Sequence, residues 1–179
     1  IGTSFMVNTT KSTLQRLFFT ASLAITLSAC QALPLNQPQA VVHDEYVNSG
    51  DILPIESITT IDGNVLDLQQ LGKRKLVILF ASWCHDSNRL LKALNTSPLL
   101  ENDDIEIIAI AREEDTETVT AWRDKRGIKV ALAVDHDRSI YKRFASGGIP
   151  RLITIGENNK IIKMNLAEGE QQLAKVIWQ

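Results

Sequence analysis

Two cysteines, Cys30 and Cys84, are all that the 179-residue sequence contains, so it can form at most one internal disulfide. An excess of charge is also lacking, because 19 basic and 21 acidic residues leave a net charge of -2. Without a basic patch, a nucleic acid is not expected as a partner. No apolar run approaches the roughly 20 residues of a membrane-spanning helix, and no residues show metal-ligand spacing. We therefore predict neither a metal nor another cofactor.

The composition that remains, with 44% hydrophobic and 22% charged residues, is typical of a soluble globular protein. The length fits one domain with terminal additions. At the N-terminus, Lys11 and Arg16 precede a short apolar run over 17–27, an order that is typical of a signal peptide. Met6 is an alternative start, since position 1 is Ile.

Leu27-Ser28-Ala29-Cys30 follows the apolar run and resembles a bacterial lipobox. The resemblance implies cleavage before Cys30 and attachment of lipid to its sulfur. Gln31, and not an Asp, follows the cysteine, which resembles lipoproteins sorted to the outer membrane. We therefore predict a lipoprotein signal peptide over 1–29 and a protein anchored in a bacterial cell envelope. It would face the periplasm, with the outer membrane favoured over the inner. A plain secretory signal with a chance cysteine is the alternative.

Residues 30–50 are polar and contain Pro34 and Pro38, so they have little capacity to form a core. We predict that they begin with the lipidated Cys30 and form a flexible tether. We interpret His43 and Tyr46 as ordinary linker side chains. The folded domain is then expected over 51–179.

The domain pattern begins with two short strands around Asp62-Gly63-Asn64, which predicts a β-hairpin. The apolar runs 76–80 and 105–111 do not alternate, which is typical of central strands that are covered on both faces. Further segments predict strands over 130–134, 151–155 and 160–165, and helices over 89–94, 116–126, 138–144 and 170–178. This order predicts an α/β fold with a central mixed sheet, helices on both faces and an N-terminal hairpin.

Phe80-Ala81-Ser82-Trp83-Cys84-His85-Asp86-Ser87 links the first central strand to the next helix. A cysteine at such a turn is close to helix N–H groups and the helix dipole, which favour a thiolate. A protonated His85 would favour the thiolate too, whereas Asp86 would oppose it. Ser87 could donate a hydrogen bond to the sulfur.

This motif, with Gly50-Asp51-x-x-Pro54 before it and Gly148-Ile149-Pro150 after it, resembles the thioredoxin superfamily. Within that superfamily it is similar to the TlpA/ResA-like (redoxin) branch. The resemblance implies a thioredoxin-like fold in which Pro150 is cis and faces Cys84. It also implies that the Ile149 backbone pairs with a bound substrate peptide. An ordinary trans proline that starts a strand is the alternative. Arg151 replaces a small polar residue of many relatives, so we expect different groove electrostatics.

The chain departs from that family where a second thiol is needed. Ser87 lies three residues after Cys84, and a hydroxyl cannot resolve a mixed disulfide. Ile78 and Leu90 replace the acids that relatives carry. We therefore predict a monothiol (CxxS) oxidoreductase with Cys84 as its nucleophile and with Trp83, His85, Asp86 and Ser87 as supporting residues. Its partners would be protein or small-molecule thiols and disulfides of the envelope. A non-catalytic binding or chaperone-like lipoprotein that uses the groove at Pro150 is the alternative.

Overall fold

A computed structural model describes residues 41–179 of the chain. The predicted signal peptide, the lipidation at Cys30 and the first part of the predicted tether lie outside the described residues. Within 41–179, no helix combines the length and the apolarity that crossing a membrane requires.

Seven strands and two α-helices form the regular structure of the described residues. In chain order they are β1 Ser57–Thr59, β2 Val65–Asp67, β3 Arg74–Phe80, α1 His85–Leu94, β4 Ile105–Arg112, α2 Thr116–Arg126, β5 Ala131–Asp135, β6 Arg151–Ile155 and β7 Ile161–Leu166. β1 and β2 form a separate antiparallel hairpin, and the other five strands form a mixed sheet in the order β5-β4-β3-β6-β7. β4 is parallel to β3 and β5, whereas β6 is antiparallel to β3 and β7. The predicted mixed sheet and hairpin are confirmed.

β3 lies at the centre of the sheet and is buried on both faces, as its unbroken apolar sequence predicts. Leu76, Ile78 and Phe80 pack with apolar residues of α1 and α2. Val77 and Leu79 join a second cluster on the opposite face. The hairpin, the segment that precedes it and a 3-10 helix over Tyr141–Arg143 cover that second face. Because both faces are covered, the turn that carries Cys84 follows a strand that is buried on both sides.

Part of the predicted tether belongs to the folded domain, which corrects its C-terminal boundary. The Tyr46 N–H donates to Phe144 O at 2.8 Å, and the Ser146 N–H donates to Asp44 O at 2.9 Å, so the two segments pair antiparallel. Val47 is buried in the core. The polar composition of this segment does not reveal that it is folded, because backbone hydrogen bonds hold it in place and such bonds need no apolar side chains.

Two predicted helices are shorter than the sequence pattern indicates. The segments 138–144 and 170–178 contain only 3-10 helices, over Tyr141–Arg143 and Gln172–Lys175. In each case a residue with left-handed backbone lies before the 3-10 helix, which therefore starts later than the pattern indicates: Arg138 with φ 64° and Gln171 with φ 53°. The prediction of a terminal helix over 170–178 is therefore wrong.

Candidate active site

Cys84 lies at the N-cap of α1, directly after the turn that leaves β3. Its backbone is extended, and its carbonyl accepts the Asn88 N–H at 3.0 Å, which closes the first helical turn. The side chain is partly buried, and the thiol is free. Cys84 therefore stands at the end of α1 where the first backbone N–H groups have no partner within the helix.

The cysteine faces the loop that precedes β6, as the family resemblance implies. The Ile149–Pro150 peptide bond is cis, and the Cys84 thiol donates to Ile149 O with 3.8 Å between sulfur and oxygen. Pro150 is buried, whereas Ile149 is partly exposed. The backbone of Ile149 is therefore the part of this loop that lies next to the sulfur.

Ser87, at the position of a second cysteine, is fully buried. Its Oγ accepts the Ala81 N–H at 3.4 Å, so the hydroxyl contacts the backbone of the loop. The bond that Ser87 could donate to the Cys84 sulfur is not among the hydrogen bonds within residues 41–179. Ile78 and Leu90 are also fully buried. No carboxylate therefore occupies either of the positions where relatives carry a proton acceptor.

Trp83, His85 and Asp86 flank the cysteine but have different surroundings. Trp83 is 66% exposed, and His85 is exposed as well. Asp86 pairs with Arg89, with 2.7 Å between Oδ1 and Nη1, and it also accepts the Gly169 N–H at 3.3 Å. The negative charge that we expected to oppose the thiolate is therefore compensated by Arg89. The supporting roles of these three residues stay predictions.

Glu114 is a site residue that the sequence analysis did not identify. It is 8% exposed, and its carboxylate accepts both the Ser82 N–H, at 2.7 Å, and the Ser82 hydroxyl. These bonds fix the turn immediately before Trp83 and Cys84. The sequence pattern accounts for Glu114 as an acid near a helix start, and nothing local links it to a serine 32 residues earlier.

Asn88 is a second residue that only the structure identifies. Its Nδ2 donates to Ser82 O at 2.6 Å and to Cys84 O at 2.8 Å. Its Oδ1 accepts the Trp122 indole N–H at 3.0 Å, which connects the cysteine loop to α2. One amide therefore satisfies two loop carbonyls and one indole donor.

Three side chains hold the loop before the cis proline by its successive carbonyls. Arg138 donates to Ser146 O at 2.6 Å. Arg151 donates to Gly147 O at 2.8 Å, and the Tyr141 hydroxyl donates to Gly148 O at 2.6 Å. The next carbonyl, that of Ile149, is the one that meets the Cys84 thiol.

The structure corrects the expected roles of Arg151 and His43. Arg151 is 1% exposed, and its guanidinium donates to Gly147 O and pairs with Glu45 at 2.5 Å, so its charge is buried and compensated. His43 is not a free linker side chain, because its ring lies against Gly147 and Gly148 so closely that a Cβ on either glycine would collide with it. A Cβ at Gly147 would displace the His43 ring, and the Gly148 backbone, with φ 83°, has the left-handed conformation that favours glycine.

Solved structures share the fold of this chain. A candidate protein disulfide isomerase from Bacteroides thetaiotaomicron aligns with a TM-score of 0.66 and 28% identity, over 73% of this chain and 86% of its own. A candidate thiol:disulfide interchange protein DsbE from Chlorobium tepidum aligns with a TM-score of 0.58 and 17% identity, over 72% and 96%. A secreted disulfide oxidoreductase of Mycobacterium tuberculosis, homologous to E. coli DsbE, aligns with a TM-score of 0.57 and 17% identity, over 66% and 89%. The thioredoxin-like fold is therefore confirmed.

A comparison with curated proteins finds no significant match to this sequence. The Redoxin family model matches residues 48–177. That range contains the whole mixed sheet, the Cys84 turn and the cis proline at position 150. The chain belongs to the Redoxin family.

Proposed function

We propose that this protein is an envelope thiol–disulfide oxidoreductase of monothiol type that forms mixed disulfides through Cys84. One observation carries the proposal: the Cys84 sulfur lies at a helix N-terminus and 3.8 Å from Ile149 O, beside a cis proline. The Bacteroides thetaiotaomicron relative, described as a candidate disulfide isomerase, supports the same class of chemistry.

The reaction begins when the Cys84 thiolate attacks one sulfur of a substrate disulfide. A Cys84–substrate disulfide forms, and the other substrate sulfur leaves as a thiolate that takes a proton from solvent. Ser87 cannot attack this adduct, because its hydroxyl is not a thiolate and is buried. An outside thiol must therefore release Cys84, and the adduct is long-lived without one.

Substrate recognition at this site would use the backbone of Ile149. Because Arg138, Arg151 and Tyr141 engage the three preceding carbonyls, the loop is held in place before substrate arrives. An extended substrate segment would pair with the partly exposed Ile149 as an added strand. This geometry would present a disulfide to the Cys84 sulfur.

The envelope location rests on the predicted signal peptide over 1–29 and the predicted lipid on Cys30. The structurally similar protein from Mycobacterium tuberculosis is secreted, which is consistent with a location outside the cytoplasm. We further propose that the lipid anchors the protein in the outer membrane and not in the inner membrane. Incorporation of labelled palmitate into wild-type protein, and its loss in Cys30→Ser, tests the anchor, and membrane fractionation then tests which membrane holds it.

The chemistry is tested by treating the purified protein with hydroxyethyl disulfide, which is uncharged, and measuring intact mass. We expect one adduct on Cys84 that persists after excess reagent is removed, and none in Cys84→Ser. In Ser87→Cys, the introduced thiol should attack the adduct, so that an internal disulfide forms and the small thiol is lost, whereas Ser87→Ala should keep the adduct. A wild-type protein that forms no adduct at neutral pH would overturn the proposal.

A non-catalytic binding module is the second candidate, because the side chains that hold the Ile149 loop do not depend on the thiol. Under that hypothesis, Cys84→Ala would capture the same envelope partners as wild type under reducing conditions. Under the oxidoreductase hypothesis, capture requires Cys84 and is reversed by a reductant.

A further inference from the structure

A cleft of ≈ 510 Å³ lies between α1 and the C-terminal end of α2, and Cys84 itself does not line it. Trp83 and His85, the two sequence neighbours of Cys84, line it, together with Arg89 and Lys92 of α1 and Arg126 of α2. The volume is in the range of small-molecule sites. A larger cleft of ≈ 900 Å³ elsewhere is lined by no residue of the cysteine or proline loops.

The cleft is cationic. Three of its lining side chains carry a fixed positive charge, and none of its lining residues is acidic. Arg89 is offset by Asp86, but Lys92 and Arg126 have no ion-pair partner among residues 41–179. Trp83 adds an exposed indole face. These features favour a ligand that combines an anionic end with a small apolar body.

We propose that this cleft binds the carboxylate end of an anionic small thiol, the outside thiol that releases Cys84 from its mixed disulfides. The inference rests on the proposed function, which requires such a thiol because Ser87 cannot resolve the adduct. A small thiol fits better than an acidic protein surface, because the cleft has limited volume and is flanked by the two neighbours of the nucleophile.

The release proceeds in two exchange steps. A bound small thiolate attacks the Cys84 sulfur, the substrate leaves as a thiol after protonation, and a disulfide between Cys84 and the small thiol remains. A second small thiolate attacks the small-thiol sulfur of that disulfide, and Cys84 leaves as a thiolate at the helix N-terminus. Two small thiols are thereby oxidised to one disulfide, and the substrate sulfur is reduced.

The test uses three disulfides of matched size and different charge: dithiodipropionate, hydroxyethyl disulfide and cystamine. The rate of Cys84 adduct formation is measured in wild type, in Lys92→Gln/Arg126→Gln, and in Lys125→Gln/Lys129→Gln. The last variant loses the same two charges nearby from exposed side chains that do not line the cleft. Because the variants are compared with the same reagent, differences in intrinsic reactivity between the reagents do not affect the comparison.

We expect the cleft variant to lower the ratio of the dithiodipropionate rate to the cystamine rate by roughly fivefold, and the control variant to change it little. Added salt should reduce the wild-type ratio. Equal ratios in all three proteins would overturn this inference but not the proposed function. So would a dependence on Lys92 and Arg126 of the rate with an acidic peptide disulfide but not of the rate with dithiodipropionate. Failure of hydroxyethyl disulfide to form any adduct would instead overturn the proposed function.

A second measurement does not depend on the thiol. In Cys84→Ser protein, thiodipropionate, a thioether that cannot exchange, should change tryptophan fluorescence saturably, because Trp83 is 66% exposed at the cleft. The fluorescence change should be absent in Cys84→Ser protein that also carries Lys92→Gln and Arg126→Gln. A protein that shows no saturable change would overturn the assignment of the cleft.

Discussion

Glu114 shows how the site depends on single side chains that are far from it in sequence. Its buried carboxylate accepts two hydrogen bonds from Ser82, and Asn88 holds the carbonyls of Ser82 and Cys84. Hydrogen bonds to a charged acceptor are stronger than neutral ones, and a buried partner left unpaired is costly. The turn that carries Cys84 is therefore fixed by polar contacts and not by apolar packing alone.

Replacing Glu114 with Gln should weaken this turn. The amide keeps the shape of the side chain but removes the charge from both bonds, so we expect the free energy of unfolding to fall by about 1–2 kcal/mol. The rate of adduct formation at Cys84 should fall as well, because the loop loses its fixed position. Urea denaturation and intact-mass kinetics measure the two effects.

Glu113→Gln is the matched control, since Glu113 is exposed and its one ion pair within residues 41–179 is with Arg112, at 2.9 Å. Such a surface pair contributes at most about 1 kcal/mol, so this variant should stay close to wild type. If the two variants proved equally stable and equally reactive, Glu114 would not have the positioning role assigned to it.

α2 shows, at the scale of a whole element, how local sequence rules set a boundary. The helix begins after Asp115, whose Oδ1 accepts the Thr118 N–H at 2.7 Å, and it ends at Gly127 in the left-handed conformation. Both ends follow standard capping preferences, which explains why 116–126 was predicted correctly. The hydrogen bond from Thr118 holds the pKa of the Asp115 carboxyl below its usual range.

That lowered pKa predicts how the cap responds to pH. The charged carboxylate is favoured in the folded state, so its contribution is complete above the unfolded pKa of about 3.9. The contribution is lost as pH falls through the lower folded pKa. Asp115→Ala should therefore lower the melting temperature at neutral pH, and the difference from wild type should shrink in acid.

Asp115→Asn separates charge from hydrogen bonding, because an asparagine can still cap the helix. Its melting temperature should depend less steeply on pH than that of wild type over the acid range, as followed by circular dichroism. A difference between wild type and Asp115→Ala that did not change with pH would show that the carboxylate charge has no part in the cap.

The segment before the hairpin connects distant parts of the whole molecule. It pairs with the chain at 144–146, and Glu45 reaches the buried Arg151 guanidinium. The same guanidinium holds Gly147, two residues before Ile149. The end of the predicted tether is therefore coupled physically to the loop that faces Cys84.

Glu45→Ala should destabilise the protein, because it leaves Arg151 buried without its partner. Glu45 is 45% exposed, so water can partly replace it, and we expect a loss of about 1–2 kcal/mol rather than the larger cost of a fully buried pair. Chemical denaturation measures the loss. Asp44→Ala is the control, since the bonds of Asp44 to Ser146 use its backbone. Equal stability of the two variants would contradict the coupling.

The sequence by itself determined the order of the sheet strands and of the two α-helices, the position of Cys84 and the serine at position 87. Apolar patterning and capping residues are local signals, and the motif around Cys84 lies within one continuous stretch. The family resemblance also placed Pro150 opposite the cysteine. These features needed no knowledge of how distant segments meet.

Only the tertiary structure decided which polar groups meet across the fold. Glu114 reaches Ser82, Glu45 reaches Arg151, and Arg126 joins Lys92 at one cleft, because packing brings together residues that lie far apart in the sequence. It also placed Glu45 on the domain rather than in a tether, since its segment is held by backbone hydrogen bonds that leave no trace in side-chain composition.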